Sequence, residues 1–436
     1  MCNYKRISAL LLAVIMLLSL CACGKNEAPS AGNSGAEQEA VHGTADASTP
    51  ASGNEETLAP GSKEDNAPNT NAKDPEEPLG ITFEIIGTTL YVRGRGPMED
   101  YSGSPFRYDG ITEVVVEEGV TSIGNYAFEK INSLAKVTLP ETLEKIGNSA
   151  FTLTPLQEID LPSGLISIGS SAFSHCENLT SITGGENLEY VDVSAFYKVP
   201  YVENHPEDAL IIGHCYVKYN GSDSEVVVPE GVTLIASEAF KSCWTVASVS
   251  LPEGLLEIGN SAFYDCKGLS SVHIPDTVHT LGGSAFAKCP ELRTVTGGNG
   301  LLHVGGDIFT GSPWKGQPQG DFMLLGSALI DYRGESREIM VPEGIKGIAY
   351  GVFQMEDNAT SIYLPDGLVA IGFQAFHQCK AESISIPSSI EYIDNHVFLG
   401  SRIKTVTFRG TEDQWKILDK NGEPYVFSSI AVEYTG

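Results

Sequence analysis

Basic residues are scarce in this chain. Lys and Arg total 27 against 56 Asp and Glu, for a formal net charge of −29 over 436 residues. Such a deficit excludes nucleic acid as a partner, because its binders present basic patches, and it excludes direct adhesion to anionic lipid. Long apolar runs are also missing. The longest, Ile7 to Leu20, falls short of the roughly 20 residues that cross a bilayer. No GxSxG, HExxH, P-loop or dinucleotide glycine motif follows a strand pattern, so no familiar catalytic framework is available. Beyond residue 78 there is no CxxC pair, and the 9 histidines are scattered without metal-ligand spacing. These absences exclude a metal, a cofactor or an enzyme's machinery as the organising principle of the chain.

The first residues assign a compartment instead. Lys5 and Arg6 precede the apolar run, which ends in Leu20-Cys21-Ala22-Cys23-Gly24. A positive start and an apolar core of this length make a signal peptide. Leu20 and Ala22 stand where a lipoprotein signal needs them before a lipidated cysteine, and this selects Cys23 over Cys21. Residues 1–22 are therefore read as a lipoprotein signal peptide, with diacylation at Cys23 supplying a durable anchor. Between Lys25 and Glu77 the chain is mostly Ala, Ser, Gly, Asn, Pro, Glu and Asp. A segment that poor in large apolar side chains cannot bury enough surface to offset its ordering entropy. Residues 23–78 are read as an acidic tether with a reach of roughly 40 Å.

The rest of the chain repeats itself. Phenylalanine recurs at 128, 151, 173 and 196, then at 240, 263, 286 and 309, then at 353, 376 and 398, with steps of 22 or 23 within a group and 44 between groups. Phe106 stands 22 before Phe128. Each 44-residue gap predicts one further rung that has lost its Phe while the stacking phase survives. Ala precedes most of these Phe residues, and an aliphatic-Gly pair precedes that, as in Ile146-Gly147 and Ile258-Gly259. Upstream lies an alternating segment closed by Pro, as in Val249-Ser250-Leu251-Pro252. The alternation is a short strand with aliphatics inward. Pro marks where the strand ends, Gly is read as permitting a tight bend, and Ala lets the Phe ring lie flat between rungs. One rung cannot bury its own aliphatics, but a stack can. The predicted fold is a mainly β repeat solenoid of about 13 rungs of 22–23 residues with short parallel strands and turns, roughly 60–70 Å long.

The gaps also match one another. Asp208-Ala209-Leu210-Ile211-Ile212-Gly213 corresponds to Asp321-Phe322-Met323-Leu324-Leu325-Gly326, and Gly184-Gly185 corresponds to Gly297-Gly298, 113 residues on. A super-repeat of about five rungs follows. Its atypical rungs, with Pro200, Tyr201, His205, Pro206, Pro313 and Trp314, are read as protruding on one edge.

The I-G-x-x-A-F segment and the L-P strand end resemble the bacterial leucine-rich repeats of the BspA type. Residues 90–98 (Leu-Tyr-Val-Arg-Gly-Arg-Gly-Pro-Met) and 407–415 (Thr-Phe-Arg-Gly-Thr-Glu-Asp-Gln-Trp) resemble that family's N- and C-terminal caps. The implied organisation is a cap at 79–110, a leucine-rich-repeat solenoid at 111–409 and a cap at 410–436.

Cys176, Cys243, Cys266, Cys289 and Cys379 each stand three residues after a Phe. They read as a buried slot for a small apolar residue. His205, Asp208, His214 and Cys215 crowd one atypical rung and are the nearest approach to a metal or nucleophilic site. The outward residue of each I-x-L strand runs Thr138, Asp160, Thr183, Val227, Ser250, His273, Thr296, Met340, Tyr363, Ser385, Thr407. Small hydroxyls suit a solvated strand face. Asp160, His273, Met340 and Tyr363 depart from that background and are the candidate binding residues. Proteins of the resembled family are linked to attachment to host matrix or other cells. The resemblance therefore implies a lipid-anchored, non-catalytic surface protein whose face engages an extracellular protein or glycan, host matrix included. The rival reading is a scaffolding lipoprotein that organises proteins of its own envelope.

Overall fold

In the computed structural model, residues 80–106, 110–419 and 430–436 are described. The signal segment 1–22, Cys23 and the whole of the 23–78 tether lie outside them. The described residues form one compact unit.

That unit is a β-solenoid of about 14 turns. A regular turn contributes one longer and one two-residue strand, and within each ladder these pair in parallel with the same strands of neighbouring turns. Ser271–Ile274 pairs with Thr294–Gly297, and Glu257–Ile258 with Thr280–Leu281, residue for residue. The register follows from the pleat: Val272 and Ile274 are buried while Ser271 and His273 face out. A third seam joins the A-F turns. Ser261, Phe263 and Asp265 donate backbone N–H groups to Gly283, Ala285 and Ala287 at 2.8–2.9 Å. Within a run of regular turns such as these, each turn is thus stitched to the next along three lines.

The Phe rings stack within this frame. Phe240, Phe263 and Phe286 stand 4.8 and 5.1 Å apart at centroids, with interplanar angles of 15° and 5°. Phe106 continues the first column onto Phe128 at 6.0 Å. At the two 44-residue gaps the phase survives with a different ring. Tyr219 packs on Phe240 at 5.3 Å and Tyr332 on Phe353 at 5.4 Å. Each tyrosine stands 23 residues after the last Phe of its group, where the missing Phe would be. Between them the regular turn is replaced by an antiparallel hairpin: Ala209–Ile212 with Cys215–Tyr219, and Phe322–Leu325 with Ala328–Tyr332. The two hairpins carry equivalent register shifts, after Leu210 and after Met323, and turn on Gly213 and Gly326 at φ 57° and 53°. The sequence super-repeat is thus a structural one. Buried apolar residues fall into two clusters, Leu90 to Leu234 and Tyr216 to Trp415, which meet at the first hairpin.

Three expectations need correction. The glycine after the short-strand aliphatic makes no bend: Gly147, Gly259 and their equivalents do not have positive φ. A Cβ at Gly259 would lie 2.6 Å from the Ser237 nitrogen and 2.9 Å from the Ala236 carbonyl carbon. Glycine is required because neighbouring turns approach too closely there for a side chain. The left-handed conformation falls on other residues, at the positions before Ala and two after Phe, as in Ser261 (φ 56°) and Asp265 (φ 61°). Such residues are strained relative to glycine, and the third seam holds them.

The cysteine slot is polar, not apolar. Cys266 Sγ–H donates to the Phe240 carbonyl at 3.0 Å and Cys289 Sγ–H to that of Phe263 at 3.1 Å. Ser312 does the same to Phe286 at 2.7 Å. The slot selects a short donor for a buried carbonyl left over by the turn. Cys243 is the exception, half-buried, with Sγ 4.0 Å from the Tyr219 carbonyl oxygen. Nor does Trp314 protrude. It packs edge-on against Phe309 at 4.4 Å and is buried, while Pro200–Glu203 forms a single helical turn that buries Val202.

Both ends are closed. A hairpin of Thr82–Ile86 and Thr89–Arg93 leads in, the latter strand pairing in parallel with Glu113–Val116. At the far end the helix Glu412–Asp419 sets Trp415 against Phe408 at 5.0 Å, and Ala431–Tyr434 adds a last parallel strand.

Candidate functional site

The longer strands offer the candidate site: one outward residue per turn, on a backbone fixed by the ladder. Its side chains bridge neighbouring turns. Thr183 Oγ1–H donates to Asp160 Oδ1 at 2.7 Å, and His273 Nδ1 and Thr296 Oγ1 are 2.9 Å apart. Near the entry end Lys136 Nζ reaches Glu113 Oε1 at 2.9 Å, a surface pair of small energetic weight. Asp160 and His273 are exposed but already engaged along the ladder, so they are held in fixed orientations. Met340 is 61 % exposed and has Tyr363 as its register partner.

Tyr363 is placed differently from its sequence reading as a free aromatic anchor. The Arg409 guanidinium lies 4.2 Å over its ring. Arg409 also donates to Ser385 Oγ at 2.7 Å, to the Leu364 carbonyl at 2.7 Å and to Asp366 Oδ1 at 2.9 Å. The half-buried tyrosine is thus roofed by a residue from two turns on, because arginine satisfies an aromatic face and several acceptors at once. Two exposed features were not singled out by the sequence reading. Val227, 73 % exposed, occupies the place of Met340 one super-repeat earlier; their 113-residue separation was the signal. Trp244, 57 % exposed, lies on the A-F turns, with Lys267 Nζ 3.9 Å over its ring and its indole N–H donating to Asp265 Oδ2 at 2.9 Å.

Among the described residues, His214 and Cys215 of the atypical rung each bond a backbone carbonyl and not one another. His214 is half-buried and holds the Gly231 carbonyl at 2.8 Å, whereas Cys215 is buried under the Leu188 carbonyl at 3.5 Å. Among the described residues no three His, Cys, Asp or Glu side chains are grouped to hold a metal ion. No helix among them is long and apolar enough to cross a membrane.

Among the carboxylates and histidines, the large upward or downward shifts caused by burial fall on or beside the short strands. Burial, with Asp192 adding repulsion, pushes Glu257 up to about 7. Burial likewise raises Asp394 to about 6 and lowers His303, which packs edge-on against Tyr392 at 4.8 Å, to about 4. These shifts are costs of burial. For Glu257 the folded chain keeps a proton that the unfolded chain releases from about pH 4.5 upward. Its contribution is therefore full below that pH and lost as pH rises toward 7. Glu257→Gln should match the parent chain at pH 4 and exceed its stability at pH 8 by about 1–2 kcal/mol. Urea unfolding at the two pH values measures this, and equal gains at both would contradict it.

Comparisons with known proteins agree with the geometry. A family model described as the BspA type leucine rich repeat region matches in six copies, over residues 102–207, 210–315 and 331–417. No curated protein sequence matches the chain. Among solved structures, a leucine-rich repeat protein from Eubacterium ventriosum is 23% identical, with 74% of this chain and 94% of that one covered at a TM-score of 0.32. A leucine rich cell surface protein from Faecalibacterium prausnitzii is 21% identical, with coverage of 80% and 98% and a TM-score of 0.26. A leucine-rich repeat protein from Bacteroides ovatus is 18% identical, with coverage of 82% and 98% and a TM-score of 0.27.

Proposed function

We propose, from the premise that this chain belongs to the BspA-type leucine-rich-repeat family, that it is a lipid-anchored binding or adhesion protein held outside the cell. In this reading Cys23 carries the lipid and residues 23–78 are the spacer. The outward strand face takes an extracellular protein or glycan partner without catalysis. The observation that carries the reading is that face: a hydroxyl-rich surface, fixed turn by turn, with a few larger side chains standing out of it. A solenoid offers such a surface because its side chains recur at a fixed spacing on a rigid ladder. The leucine-rich-repeat solenoid is typically a non-catalytic fold.

Affinity enrichment with the full chain, run in parallel against host extracellular matrix and against the bacterial envelope, tests the function. Matrix capture supports adhesion, whereas capture only of envelope proteins selects the scaffolding alternative. Replacing Asp160, His273 and Met340 together by Ser should weaken the captured partner about tenfold or more with unchanged melting, and unaltered affinity in surface plasmon resonance would move the site off this face. Cys23→Ala should abolish palmitate incorporation and release the protein from the membrane fraction.

A further inference from the structure

We propose that the two strand edges left open at the hairpins, Glu225–Val227 and Glu338–Met340, each receive an extended, positively charged segment of a partner polypeptide by strand addition. The long-strand ladder is not continuous. It lapses between the successive turns of Lys136–Thr138 and Glu158–Leu161, and it lapses at each hairpin: it stops at Ser181–Gly184 and starts again at Glu225–Val227, then stops at Thr294–Gly297 and starts again at Glu338–Met340. Each restarting strand pairs on one side only, among the described residues. The direction of that pairing fixes which groups are left over. Ser248 N–H donates to the Ser224 carbonyl and Val228 N–H to Ser250, so the even-numbered residues serve the ladder. In the second edge Ser361 N–H reaches Arg337, and Val341 N–H reaches Tyr363. By the alternation of a parallel pair, the N–H and C=O groups of Glu225, Val227, Glu338 and Met340 point away from their sheets.

An open edge is a template for another chain unless it is blunted. These two are alike in a way that specifies what they accept. Both present a glutamate and then a large apolar residue outward, Glu225 with Val227 and Glu338 with Met340, all exposed. An added strand would set its own outward residues opposite these. A lysine or arginine opposite the glutamate and an apolar residue opposite Val227 or Met340 make the favourable cross-strand pairs. The inward residue between them would lie over Val226 or Ile339. The motif read is therefore basic, any, apolar. Glutamate disfavours a second copy of this chain or its own acidic segment 25–77 as the occupant, and the net charge of −29 draws a cationic one. Two equivalent edges give two such sites per chain.

The inference rests on reading the chain as a binding protein and makes that reading more specific. The probe is a dodecapeptide of alternating Lys and Val, titrated calorimetrically into the full chain. The expected result is two sites, at least tenfold tighter than for a Lys-block, Val-block peptide of equal composition. N-methylation of alternate residues of the probe should abolish binding. The double variant Glu225→Lys with Glu338→Lys should lose the Lys-Val peptide and gain a Glu-Val peptide, with its melting temperature unchanged because both glutamates are exposed. Equal binding of the block peptide, indifference to N-methylation, or retained Lys-Val binding in the double variant would each overturn the proposal. If that variant still captures the natural partner while the Asp160, His273 and Met340 variant does not, the edges are ruled out and the binding function stands.

Discussion

Phe263→Ala should cost about 3–5 kcal/mol, the deletion of a fully buried ring together with the cavity it leaves. The ring is sandwiched at 4.8 Å by Phe240 and at 5.1 Å by Phe286, and it has no exposed surface. Both neighbours lose their stacking partner, and the surrounding strands cannot close the gap, because each is tied in register to the turn above and below. The loss should exceed that for Phe106→Ala, whose half-buried ring stacks on Phe128 at the longer distance of 6.0 Å. Urea unfolding followed by circular dichroism compares the two, and a Phe263→Ala loss under 1 kcal/mol would contradict a packed column of rings.

The addition of a single methyl group should be nearly as damaging. Gly259→Ala places a Cβ 2.6 Å from the Ser237 nitrogen and 3.0 Å from the Ile235 carbonyl oxygen. These are backbone atoms of the preceding turn, fixed by their own hydrogen bonds, so no flexible side chain can give way. Overpacking of this kind costs about 2–3 kcal/mol. Gly254→Ala is the control, since nothing lies within 4 Å of a Cβ there. Equal stability of the two alanine variants would remove close approach as the reason for Gly259.

That glycine also shows what could and could not be read from the sequence. The period was legible because burial is periodic. Phe, Ala and the aliphatics of each turn are selected by one repeated core, so the solenoid and its phase followed from spacing alone. The reason for Gly259 was not, because a glycine needed for positive φ and one needed for close approach look the same in a sequence. Only the inter-turn distance separates them. The left-handed residues hid for the converse reason: Ser261 and Asp265 are ordinary surface residues, and their φ angles are imposed by a seam formed with the next turn. Cys266 was read as apolar since its sulfur suits either role, and the deciding group, the Phe240 carbonyl, comes from another turn. On the candidate face, Asp160, His273 and Met340 were legible from strand alternation. The roofing of Tyr363 was not, because Arg409 lies 46 residues away and reaches back over two turns. Val227 was legible as outward from the same alternation, and its match to Met340 is what sets it apart.

The two hairpins have a mechanical consequence. Antiparallel strands sharing a tight glycine turn are local in sequence, whereas each ladder contact joins residues some 22 or 23 apart. Stability in a stacked repeat is a sum of nearest-neighbour terms, and it is lowest where the seams lapse. Stretched from its two ends, this chain should therefore come apart in segments bounded by residues 209–219 and 322–332, not one turn at a time. The hairpins act as rip-stops: a tear that enters at one end is checked before it runs the length of the molecule.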